Sequence, residues 1–180
     1  MAIKMRAARN LFSIFLIVII AFTPTWALAS QRVTVSVKGG PLGFTLAGPS
    51  SLAEVILTGY DQTTAGGLGA IDISDARGTG TGWDLILQAD DFVNIDGSGA
   101  FIPAAGLAID ETPTVTTVAG NTWPEAFTGP LDSPLLLLAA GADTGMGQYR
   151  TDPALSLVIP ADTIAGTYET TVTMTITSGP

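Results

Sequence analysis

Alternation of apolar and polar residues is the feature that most constrains this fold. Residues 172–177 read Val-Thr-Met-Thr-Ile-Thr, and residues 32–38 read Arg-Val-Thr-Val-Ser-Val-Lys. A β-strand places successive side chains on opposite faces, whereas an amphipathic helix repeats its apolar residues every three or four positions. Several such segments, spaced about 8–12 residues apart, predict an all-β chain: an antiparallel two-sheet sandwich, immunoglobulin-like, in a single domain over residues 30–180.

Glycine, proline and the apolar runs predict where individual strands lie. Residues 32–38 predict a first strand, which Gly39-Gly40-Pro41 ends. Residues 135–140 are apolar throughout, so periodicity alone fits either a strand covered on both faces or one turn of buried helix; the length and the following glycine favour the strand. Residues 112–134 are rich in turn-forming residues and predict a long surface connection.

The first 29 residues have the three parts of a secretory signal peptide. The basic start is Lys4, Arg6 and Arg9, the apolar stretch spans 11–22, and the small-residue cleavage pattern is Ala27-Leu28-Ala29. A membrane-spanning helix needs about 20 apolar residues, more than this stretch supplies, so cleavage is favoured over an uncleaved membrane anchor. We therefore expect a secreted chain with no integral membrane segment after residue 29.

The exported part of the chain is strongly acidic. All sixteen Asp and Glu residues follow residue 29, against four basic residues, Arg32, Lys38, Arg77 and Arg150, which gives a net charge of −12. Such a chain is repelled by phosphate backbones and by anionic lipid, which argues against nucleic acid and membrane surfaces as partners. Attachment to an anionic wall polymer would need sugar contacts, bridging divalent cations or a protein partner.

The residues that usually carry catalysis are scarce. Histidine and cysteine are absent, which removes Ser-His-acid and Cys-His arrangements, disulfides and thiolate metal sites. Asp90 and Asp91 could form a carboxylate pair, but as neighbours on a strand they face opposite sides. Lys38 lies at a predicted exposed strand end, a poor setting for a Ser-Lys pair. We therefore expect a protein that is not an enzyme.

No cofactor is expected, and no metal site is assigned. Calcium is the alternative, because loop carboxylates are its usual ligands and the ion would offset the negative charge. The pairs that could contribute are Asp90 with Asp96, and Asp72 with Asp75.

Three stretches of the chain carry a family resemblance. Trp83-Asp84-Leu85 follows the glycine-rich loop 78–82, residues 139–149 form a small-residue turn that ends in a tyrosine, and residues 155–168 lead into a threonine-rich strand. Together they resemble the WxL domain, the non-covalent cell-wall-binding module of Gram-positive surface proteins. The family usually carries a second Trp-x-Leu on its last strand, where this chain has Met174-Thr175-Ile176.

The resemblance implies a β-sandwich in a secreted protein that stays at the cell surface. Its partner would be the peptidoglycan-containing wall, or another wall polymer, bound non-covalently. The alternative is a structural surface subunit that assembles through strand edges with copies of itself, or binds a partner surface protein, without direct wall binding.

The motif residues implied by the resemblance are Trp83, Leu85, Met174 and Ile176. Trp83 and Leu85 share one strand face, and Met174 and Ile176 share one face of the closing strand, which favours core positions for all four. A Trp83 that stacks on a ligand is the alternative. Methionine in the second motif agrees with a core role, because it fills gaps well but is a poor platform for a sugar ring.

A ligand surface would then lie elsewhere, at one of two candidate positions. Thr171, Thr173 and Thr175 form a row of hydroxyls on the opposite face of the closing strand, although threonine is also a favoured residue of half-exposed strands. Trp123, just before Pro124 in a turn-rich region, is the stronger candidate. An exposed tryptophan there could stack on a sugar ring; the alternative is a loop tryptophan packed onto the sandwich.

Overall fold

The computed structural model describes residues 31–48 and 50–179. The predicted signal peptide, residues 1–29, lies outside the described residues. The chain divides into two compact units, Met1–Ser36 and Val37–Pro180. In the first unit, the described residues 31–36 form no strand or helix, and both of their valines are exposed.

The second unit is built almost entirely from short strands. In chain order they are β1 Leu42–Leu46, β2 Gln62–Gly67, β3 Ile71–Asp75, β4 Trp83–Ala89, β5 Phe92–Asn94, β6 Phe101–Ile102, β7 Leu107–Ile109, β8 Val115–Gly120, β9 Glu125–Ala126, β10 Gly129–Pro130, β11 Leu135–Ala140, β12 Gly147–Thr151, β13 Ala154–Ile159, β14 Tyr168–Glu169 and β15 Val172–Ser178. Among the described residues, a single turn of 3₁₀ helix, Ala104–Gly106, precedes β7.

The strands form four antiparallel sheets, ordered β1-β3-β12-β8, β10-β7-β13-β2, β15-β4-β11-β9 and β14-β5-β6. Short bends connect the first sheet to the second through β2 and β3, β12 and β13, and β7 and β8. Similar bends connect the third to the fourth through β4 and β5, and β14 and β15. The predicted all-β sandwich is confirmed. Four sheets replace the two that were predicted, and an immunoglobulin-like strand order stays a prediction.

The core lies between the layers and follows the alternation of the sequence. On β4, Trp83, Leu85, Leu87 and Ala89 are buried while the residues between them are partly or fully exposed. A central strand can bury one face completely because a neighbour covers it on both edges and the opposite layer covers its face. At the margins of the layers β1 lies against β15, and their apolar residues are only partly buried.

Two predicted elements are wrong. Residues 32–38 form no strand, and Val33, Val35 and Val37 are 87%, 86% and 87% exposed. Alternation gives a segment one apolar face, but a strand also needs a neighbouring strand to bond its backbone groups. Residues 112–134 are not a plain connection, because they contain β8, β9 and β10. The residues of β8 are mostly exposed. Because this edge strand buries no face, its sequence lacks the apolar alternation from which a strand is predicted.

The apolar run at Leu135–Ala140 is β11, so the strand interpretation is confirmed. It pairs with β4 on one edge and with β9 on the other, with an irregularity in register between Leu136 and Leu138. The closing segment is divided in two: Tyr168 belongs to β14, and β15 begins at Val172.

Candidate functional site

Trp83 begins β4, the strand next to the margin of its sheet, and is 0% exposed. Its indole Nε1 donates a hydrogen bond to the Gly145 carbonyl at 2.9 Å. Its ring packs against Tyr149, with ring centroids 6.4 Å apart and planes tilted by 51°. Both the polar atom and the ring of this tryptophan are therefore engaged inside the protein, and neither face of the indole is open to a ligand.

The turn of residues 139–149 is shaped to lie on that indole. Gly145 has a φ of +68°, and a Cβ at this position would lie 2.4 Å from the Ala140 Cβ and 2.8 Å from the Trp83 Nε1. Only glycine combines this backbone angle with so close an approach. The Tyr149 hydroxyl donates to the Met146 carbonyl at 3.0 Å, and burial raises the pKa of this phenol.

The two motif segments are neighbours across strands. In the antiparallel register of β15 with β4, Ile176 lies opposite Leu85, Met174 opposite Leu87, and Ser178 opposite Trp83. Met174 and Ile176 are half-buried and pack against the core. The Trp83 segment thus pairs with the threonine-rich strand that follows residues 155–168 on one edge, and with Ala139 and Ala140 on the other. The rest of the stretch 139–149, which contains Gly145 and Tyr149, covers Trp83.

Arg77 also holds this end of the sandwich together, and the sequence reasoning assigned it no role. Its guanidinium contacts both oxygens of the buried Asp75 carboxylate at 2.9 Å and donates to the Gly82 carbonyl at 2.7 Å. It also bonds the Ser178 hydroxyl at the end of β15. The hydrogen bond from Arg77 holds the pKa of Asp75 below its ordinary value. The available signal was an arginine two residues after an aspartate, in an otherwise acidic chain.

The threonine row begins at Thr171, just before β15, and continues along the outer face of that strand. Thr171, Thr173 and Thr175 are exposed, while the residues between them are half-buried. β15 is a margin strand of its sheet.

Trp123 lies at a different surface and is 63% exposed. It stands beside a shallow groove of about 340 Å³ between β8 and β9, hereafter the Trp123 groove. The buried prolines Pro113 and Pro124 support the floor, Phe127 is 37% exposed, and Glu125 and Thr112 supply polar atoms. An aromatic face beside a carboxylate and a hydroxyl is a combination suited to a sugar, which has an apolar ring face and hydroxyl edges.

A second depression, of about 490 Å³, adjoins the first and shares Thr112 and Pro113 with it. Its lining includes Arg150, Asp152 and Thr151. The Thr151 hydroxyl is buried and has no hydrogen-bond partner among the described residues, and a buried hydroxyl without a partner is costly. The two depressions together form an elongated surface, aromatic at one end and charged at the other.

The structure does not bring the candidate ligand-facing residues together. The threonine row belongs to the β15 margin, and Trp123 immediately precedes β9. β15 and β9 are the two margin strands of one sheet, with β4 and β11 between them. Three strand spacings correspond to about 14 Å. The threonines and Trp123 are therefore two separate surfaces.

The carboxylates considered for calcium are largely occupied by protein groups. Asp75 is bound by Arg77, Asp72 lies 3.6 Å from Arg150, and Asp96 accepts a hydrogen bond from the Thr167 backbone at 2.6 Å. Over residues 31–48 and 50–179 no group of three or more acidic side chains is placed to hold a metal ion. The same residues include no helix long and apolar enough to cross a membrane.

Comparison with protein-family models finds no match to this chain, and comparisons with curated proteins and with solved structures find none either.

Proposed function

We propose that this is a non-enzymatic bacterial surface protein that is secreted and binds the peptidoglycan-containing cell wall non-covalently through the Trp123 groove. The observation that carries the proposal is the exposed Trp123 beside an elongated surface that also offers Thr112, Glu125 and Arg150. The resemblance to the WxL domain and the signal-peptide pattern support the cell-surface location.

Burial of the motif tryptophan supports placing the ligand at the groove. Trp83 is fully buried, and its indole N–H is already bonded, so its role is to hold the sandwich together. Trp123 is the tryptophan with an open ring face among the described residues. Stacking of a sugar on that face needs no electrostatic attraction, which suits an acidic chain on an anionic wall.

Co-sedimentation with isolated Gram-positive wall sacculi tests the proposal. The protein is expressed from its full sequence in an exporting bacterial host, purified, and pelleted with sacculi in the presence and absence of calcium. We expect saturable pelleting, weakened about tenfold in a Trp123→Ala variant, because loss of one stacking contact is worth about 1.4 kcal/mol.

The matched control is Phe101→Ala, which removes an aromatic side chain that is 62% exposed on β6. It should pellet as the wild type does. Equal weakening by both variants would indicate nonspecific adhesion. Pelleting unchanged by Trp123→Ala would move the site away from the groove, and a protein that stays in the supernatant with and without calcium would refute wall binding.

A structural role in surface assembly is the second candidate function. The observation that favours it is β15, a seven-residue strand that pairs with β4 along one edge and has no strand partner on the other among the described residues. A long open edge is a template for another strand.

A further inference from the structure

We infer that residues 32–38 of one copy add as a strand to the open edge of β15 in a second copy. Residues 32–38 would then be the segment through which copies assemble in the second candidate function, and this pairing does not depend on wall binding. Four observations carry it: an exposed strand-like segment, an open edge of equal length, apolar residues left half-covered at that edge, and opposite charge.

The segment 32–38 has the pattern of a strand but pairs with no strand in the part of the chain that the structure describes. Val33, Val35 and Val37 alternate with polar residues, and all three are at least 86% exposed. Valine is a strong strand former and gains most when a pleated surface covers it. Three such side chains on one face of a seven-residue segment are available to another sheet.

The outer edge of β15 carries backbone groups that have no hydrogen-bond partner among residues 31–48 and 50–179. Thr171 accepts a hydrogen bond from the Asp90 amide, and Gly179 donates to the Gly82 carbonyl, so the odd-numbered residues bond to the β4 side. Antiparallel ladders alternate this direction residue by residue. The backbone groups of Val172, Met174 and Ile176 therefore point to the open edge, where an added strand would bond them.

The same three residues are under-covered on their inner face. Val172, Met174 and Ile176 are half-buried, whereas Leu85 and Leu87, opposite two of them on β4, are 0% exposed. An added strand whose valines faced inward would extend the apolar face beyond Met174 and cover it. A strand in the opposite orientation would expose the valines, so the pattern fixes which face points inward.

Charge favours this segment over other parts of the chain as the occupant. Residues 31–38 carry Arg32 and Lys38 and no acidic residue, whereas residues 39–180 hold all sixteen acidic residues against two arginines. With the valines inward, both basic residues lie on the outer face. The outer face beside β15 carries Asp84 and Asp90, six positions apart, the same separation as Arg32 and Lys38. Two strand spacings, about 10 Å, separate the two rows, slightly more than the Debye length of about 8 Å at physiological salt, so this attraction is strongest at low salt.

Cysteine cross-linking tests the pairing directly, because the chain has no cysteine of its own. Full-length Val35→Cys protein is mixed with Met174→Cys protein, or with Ile176→Cys protein for the alternative register, and oxidised. We expect a heterodimer joined by one disulfide. The control partner is Val118→Cys, an exposed residue on β8 at the other side of the sandwich, which should not cross-link to Val35→Cys.

The chain carrying both Val35→Cys and Met174→Cys distinguishes a second copy from the same copy. A disulfide within one chain that persists on dilution would overturn the inference, since the segment would then cover its own β15. Cross-linking to Val118→Cys as readily as to Met174→Cys would overturn it as well.

Sedimentation velocity of unmodified protein supplies a second measurement that needs no cysteine. We expect concentration-dependent self-association that weakens with added salt and falls at least about tenfold in affinity in Val35→Pro, because proline removes a ladder amide from an exposed segment without touching the core. A monomer at all concentrations, or association unchanged by Val35→Pro, would refute the inference. No wall is present, so neither result depends on wall binding.

Discussion

Replacing Trp83 with alanine tests whether the motif tryptophan is a packing residue. Its side chain is 0% exposed, and a buried tryptophan removes about 150–250 Å² from water, worth about 4–6 kcal/mol as an upper bound at 25 cal/mol per Å². Alanine keeps a small part of that burial, so we expect the free energy of unfolding to fall by about 3–5 kcal/mol. That is a large fraction of the about 5–15 kcal/mol typical of a domain.

Urea unfolding followed by circular dichroism measures this loss without depending on tryptophan fluorescence. With a denaturant slope of about 2 kcal/mol per molar, the midpoint should fall by about 2 M in Trp83→Ala. Trp123→Ala, which removes the exposed tryptophan, should change the free energy of unfolding by less than about 0.5 kcal/mol. A loss below about 1 kcal/mol in Trp83→Ala would refute the packing role.

A graded variant separates the hydrogen bond from the volume. Trp83→Phe keeps an aromatic ring against Tyr149 but removes the donor to the Gly145 carbonyl, which is a buried bond of 2.9 Å. We expect the free energy of unfolding of Trp83→Phe to lie between those of the wild type and Trp83→Ala. About 1–3 kcal/mol of its decrease reflects the carbonyl that loses its hydrogen-bond donor. Equal losses in both variants would mean that the hydrogen bond dominates and that ring volume contributes little.

Three further predictions concern the surroundings of this site. Gly145→Ala should lower the free energy of unfolding by about 2–4 kcal/mol, because alanine is strained at this left-handed φ and its Cβ would press on the indole. Gly97→Ala is the control, since φ is also positive there but no atom lies within 4 Å of the added Cβ. Urea unfolding should show a clearly smaller loss for this control. Because Arg77 holds the pKa of Asp75 below its ordinary value, the ionised carboxylate stabilises the folded chain above the unfolded pKa, and this contribution is lost as the pH falls through the folded pKa. Asp75→Asn should therefore be less stable than the wild type at pH 7 in urea titrations, with a difference that shrinks below about pH 4; a difference independent of pH would contradict this. The melting temperature should be the same in millimolar calcium and in chelator, since Asp75 and Asp72 already face arginines, and stabilisation by calcium would show a cation site.

The alternation of residues was sufficient to predict the central strands but not the margins. On β4 and β15 the side chains of one face meet the opposite layer, so burial and sequence share a period of two. The segment at 32–38 has the same period but no strand partner among the described residues. In contrast, β8 pairs with β12 but has no apolar period. Strand formation depends on long-range pairing, which a local pattern does not encode, and the errors fall at those places.

The candidate site was predictable one residue at a time but not as a surface. Trp123 stood out because an aromatic residue in a turn-rich stretch lacks an obvious core role, and the structure places it at the surface. The groove beside it forms because β8 and β9, margin strands of different layers, come together around Pro113 and Pro124. That juxtaposition is set by the order of strands in both sheets, as is the distance between Trp123 and the threonine row.

The two proposed binding surfaces lie on opposite margins of the sandwich, and this arrangement bears on how an acidic chain could hold an anionic wall. The Trp123 groove lies between β8 and β9, whereas the open edge belongs to β15, beside β1. A strand added at β15 therefore leaves the groove free. One aromatic contact in a shallow groove supplies modest affinity, but several copies joined through residues 32–38 would present several grooves at once, and linked sites can gain a factor of about 10²–10⁴ without any new contact. Assembly at one margin would in this way strengthen weak sugar binding at the other.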